Sequence, residues 1–70
     1  MNRKKYKDLV VGELIVLACG TISSICNISL LGSGLVSLRL AKPGFNEYSG
    51  ISILGHELEE IMVEKYSGNS

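Results

Sequence analysis

The sequence predicts an all-α chain, with one long apolar, transmembrane helix at about 9–38 followed by a short amphipathic helix at about 51–66. Three observations predict it. Leu14 to Leu38 carries no charged side chain. Leu54, Leu58, Ile61 and Met62 recur at helical spacing, with Glu57, Glu60 and Glu64 on the opposite side. Between the two segments Pro43 and Gly44 break any helix.

Residues 1–8 form a basic head, with Arg3, Lys4, Lys5 and Lys7 against Asp8. The net charge of zero hides a basic head, a neutral middle and an acidic tail. Four cations in one short cluster do not make the stripe that nucleic-acid binding requires, so no nucleic-acid partner is expected.

The apolar segment spans 9–40. As a helix, Leu14–Leu38 would reach about 37 Å, enough to cross a hydrocarbon core of about 30 Å with tilt. Glu13 and Arg39 would stand at its two ends, their charges turned to the interfaces. Gly12, Cys19, Cys26 and Ser33 repeat every seven residues, and Ser23 and Ser37 share their side. On one helix these six form a small-residue stripe for close packing against a partner helix. A rival pattern overlaps the end of this run. Ile28-Ser29-Leu30 and Val36-Ser37-Leu38-Arg39-Leu40 alternate with period two around Gly32-Ser33-Gly34. That describes a small α+β domain, helix–β-hairpin–helix, with the hairpin at about 28–40.

The basic head also resembles the start of an export signal, with cleavage near Gly20 after small residues at Ala18 and Gly20. Glu13 interrupts that signal's core, and the chain stays apolar past the cut. A retained span would leave the N-terminus cytoplasmic, because the larger cation cluster precedes it.

Residues 41–50 read as a Pro/Gly loop. Residues 51–66 read as the acidic amphipathic helix, with Leu54, Leu58, Ile61 and Met62 as a docking face. Residues 67–70 form a tail, in which Gly68 suits a helix end.

Chemistry-bearing motifs are sparse. His56-Glu57-Leu58-Glu59-Glu60 begins like the zinc-protease helix, but Glu60 stands where the second histidine belongs, and His56 is the only histidine. Asn27-Ile28-Ser29 matches a glycosylation sequon inside an apolar run. Cys19 and Cys26 lack the spacing of a zinc site. The expectation is no enzyme, no metal, no cofactor and no small-molecule substrate. The function expected is a non-catalytic accessory or regulatory subunit, partnered by membrane lipid and by a membrane protein or a second copy. The alternatives are a small soluble α+β interaction domain and a self-associating, holin-like pore peptide.

Overall fold

A computed structural model describes residues 2–64. It is all-β, which overturns the all-α expectation. Among the described residues six strands form one antiparallel sheet: β1 (Asn2–Lys5), β2 (Leu14–Val16), β3 (Ile22–Gly32), β4 (Leu35–Ala41), β5 (Ile51–His56) and β6 (Glu60–Val63). Their order is β1-β6-β2-β3-β4-β5. A 3-10 turn at Tyr6–Asp8 is the one helical element of the described residues. No helix among them is long and apolar enough to cross a membrane. The expected Tyr66 end of the second helix and the 67–70 tail lie outside the described residues.

The long apolar helix fails at its glycines. Gly12, Gly20, Gly32 and Gly34 all take positive φ, and Ser33 joins them at 55°. Glycine reaches that region without a Cβ clash, so these positions turn the chain where a spanning helix would have to run straight through. The chain reverses at Gly32–Gly34 and pairs Ile28 with Leu38 and Ser29 with Ser37. The helices that flanked this hairpin in the α+β reading are strands instead.

Inside the strands the residue order suits a pleated surface. Along β4, Val36, Leu38 and Leu40 point inward while Ser37 and Arg39 point out. In β3 the phase is less regular. Register shifts leave Cys26 and Leu31 without a Cα partner on β4. The bulge at Cys26 keeps Ile25 and Ile28 on the core side although they stand three apart. Ser23 and Ser24 are consecutive and both buried, so both faces of β3 are covered there and only small side chains fit.

The acidic helix is likewise two strands joined by a turn. Ile51, Ile53, Ile61 and Val63 are β-branched, a type that favours the pleat over the helix. Ile53, Ile61 and Val63 pack on the core with Leu9, Ile15, Ile25 and Leu38. Two members of the expected helical stripe, Leu54 and Leu58, remain exposed at 59% and 54%. Period-two burial of the isoleucines has displaced the helical alternative.

Three backbone contacts fix the β5–β6 turn. Tyr6 N–H donates to the Glu59 carbonyl at 2.9 Å, and Lys7 N–H to the Glu57 carbonyl at 3.1 Å. Glu57 N–H donates to the Gly34 carbonyl at 2.7 Å. The β5–β6 turn is thereby held between the start of the chain and the β3–β4 hairpin. Gly55 is part of this arrangement, since a Cβ there would stand 2.5 Å from the Tyr6 ring.

Candidate functional site

β1 and β5 end the sheet on its two sides. Among the described residues, β5 pairs only with β4 and β1 only with β6. Between these outer strands lies an open groove of about 690 Å³. Its walls include Ile53 and Leu54 of β5, Glu60, Ile61 and Met62 of β6, Arg3 of β1, and Tyr6. The β2–β3 turn closes one end with Leu17, Ala18 and Gly20. The volume lies within the range of ligand-sized clefts.

The direction of the β5 backbone follows from its neighbours. Glu57 N–H bonds toward Gly34 and Ser49 N–H toward Leu40, so odd-numbered residues here face β4. Even-numbered residues face away, because N–H and C=O of one strand residue point to the same side. His56 N–H confirms the parity by donating to Glu59 Oε1 at 2.7 Å instead of to β4. Ser52 and Leu54 therefore present their backbone donors and acceptors to the groove. On β1 the parity is reversed. Tyr6 N–H faces β6, so Arg3 and Lys5 present their backbone groups outward.

The expected docking face is partly brought together, on strands and not on a helix. Leu54, Ile61 and Met62 share the groove, whereas Leu58 sits in the β5–β6 turn. The expected packing stripe is dispersed. Gly12 lies in the loop before β2, Cys19 in the β2–β3 turn and Ser33 in the hairpin turn. Ser23 and Cys26 are on β3, and Ser37 is on β4. With the helix gone, no single face carries them.

The reactive side chains sit on separate elements. Cys19 is exposed, with its Sγ 3.2 Å from Thr21 Oγ1. Donation from the Thr21 hydroxyl, then from the Thr21 N–H, holds the thiol below its ordinary pKa. His56 is the last residue of β5. Its Nδ1 accepts the Leu58 N–H at 3.1 Å, which leaves the ring proton on Nε2. Burial, and secondarily the Glu59 charge, raise the Tyr6 hydroxyl above its ordinary pKa. No group of three metal-ligating side chains occurs among the described residues.

Sequence reasoning missed the edge entirely. The signal that could have found it is the period-two set Ile51, Ile53, Gly55 with no charge from Ile51 to Gly55. No family model matches the sequence, and searches of curated proteins and of solved structures return no significant match.

Proposed function

We propose that this chain is a non-catalytic binding domain that takes up an extended segment of a partner protein along the outer edge of β5. One observation supports it above the others: a strand edge that is uncharged from Ile51 to Gly55, and unpaired among the described residues, opens onto a groove with largely apolar walls. Folded proteins ordinarily blunt such edges with charge, proline or a covering element, because a bare edge templates pairing with another chain. Where the edge is used, main-chain hydrogen bonds supply affinity and pockets for alternate side chains supply selectivity.

The test combines selection and localisation. Peptides selected from a random display library are titrated into the isotope-labelled chain. Binding should shift the Ser52 and Leu54 amides and slow their exchange with solvent. Leu54→Pro should abolish the effect, because it deletes an outward N–H while leaving the β4 ladder intact. Peptides that bind without protecting either amide would sink the proposal.

A further inference from the structure

Resting on that reading, we infer that the segment taken up is an acidic one, alternating apolar and carboxylate side chains and lying between β5 and β1. The groove has two unlike walls. The β5 wall is neutral from Ile51 to Gly55. The β1 side is cationic: Arg3 lines the groove, Lys5 follows on the same strand, and the register places Arg3 opposite Met62 and Lys5 opposite Glu60. Residues paired across a ladder share a face, and so do residues two apart on one strand. Arg3, Lys5, Glu60 and Met62 therefore lie on one face.

The cations of the head are not equivalent. Lys4 points to the other face, where its Nζ bonds Glu13 Oε2 at 2.8 Å. Lys7 lies 4.0 Å from Asp8. Among the described residues no ion pair is formed by Arg3 or Lys5. Within the groove lining Arg3 and Glu60 offset each other, but among the described residues the face shared by Arg3, Lys5, Glu60 and Met62 carries two cations against one acid. An incoming strand alternates its side chains between two faces. One set would meet the half-buried Tyr6, Leu17, Ile53 and Ile61, which already pack against the core. The other set would emerge beside Arg3 and Lys5, where a carboxylate complements the charge and a lysine is repelled.

Three blocked hexapeptides test this: alternating Val-Glu, Val-Gln and Val-Lys. At low salt the Val-Glu peptide should bind about 10-fold tighter than Val-Lys, with Val-Gln between them, and added salt should shrink the spread. The double variant Arg3→Glu/Lys5→Glu should invert the order. Equal binding of all three, with Ser52 and Leu54 protected, would overturn the acidic partner and leave strand addition standing. No binding and no protection would overturn both. Sedimentation run alongside covers the remaining occupant. A dimer with those amides protected in the absence of peptide would make a second copy the occupant, and would overturn the acidic partner.

Discussion

β1 and β5 both end the sheet, yet β1 reads Asn2-Arg3-Lys4-Lys5 and β5 reads Ile51-Ser52-Ile53-Leu54-Gly55-His56. The first carries three consecutive cations, the usual protection of an edge against unwanted pairing. The second carries apolar and small side chains and only a histidine at its end. Position alone therefore does not determine whether an edge is available. Two strands with the same rank in the sheet differ through side chains that the backbone hydrogen bonds never involve. The two are also mechanically joined, because Tyr6, which follows β1 directly, packs on Gly55 of β5.

That joint is where the comparison breaks most severely. Gly55→Ala would push the Tyr6 ring from its seat, an overpacking worth about 1–3 kcal/mol. The midpoint of thermal unfolding should fall by roughly 5–15 °C. A variant that melts with wild type would mean that β1 and β5 are held independently. Next comes Glu13, whose carboxylate accepts from Lys4 Nζ at 2.8 Å and from Val10 N–H at 3.2 Å. Glu13→Ala should lose about 1 kcal/mol in urea unfolding and speed amide exchange along β1 while leaving β5 unchanged. Equal acceleration on both strands would show that Glu13 acts on the whole sheet and not on β1 alone.

Smaller still is an effect of pH. The Tyr6 hydroxyl has its pKa raised by burial, so the folded chain favours the neutral phenol. Its contribution is complete below the unfolded value of about 10 and is lost as pH rises through the folded value. Unfolding should become easier on the alkaline side of pH 10, and Tyr6→Phe should flatten that limb. An unchanged alkaline limb would show that the ring, and not its hydroxyl, makes the joint. The smallest stability change is expected for Leu54→Glu, within about 0.5 kcal/mol, since the side chain is exposed. It places a charge on β5 that repels the acidic segment, and peptide uptake should be lost without loss of fold.

The sequence made some of this legible. The break at Pro43–Gly44 lies in the β4–β5 loop, and Gly32–Gly34 is a turn. The basic head was visible as a cluster, but not as a strand edge. The strands themselves were obscured by two coincidences. Over Leu14–Leu38, hydropathy sums composition and ignores period, and the bulge at Cys26 breaks the alternation that would have declared β3. Over Ile51–Val63, residues three and four apart make a helical stripe from Leu54, Leu58 and Ile61. The same stretch holds the period-two pairs Ile51 and Ile53, then Ile61 and Val63. The site was harder to see, because an open edge depends on which strands meet, and β6 reaches β1 and β2 from the far end of the chain.

That last pairing sets an order of events. β2 through β5 form a meander in which each strand meets the next across two to nine residues. β6 instead inserts between β1 and β2, bringing Val63 beside both Asn2 and Ile15. Loop closure over such a separation is slow compared with hairpin formation. The meander should therefore assemble first, and seating of β6 should govern the refolding rate. Substitutions at Val63 would then slow refolding, while those in the β3–β4 hairpin tip would mainly hasten unfolding.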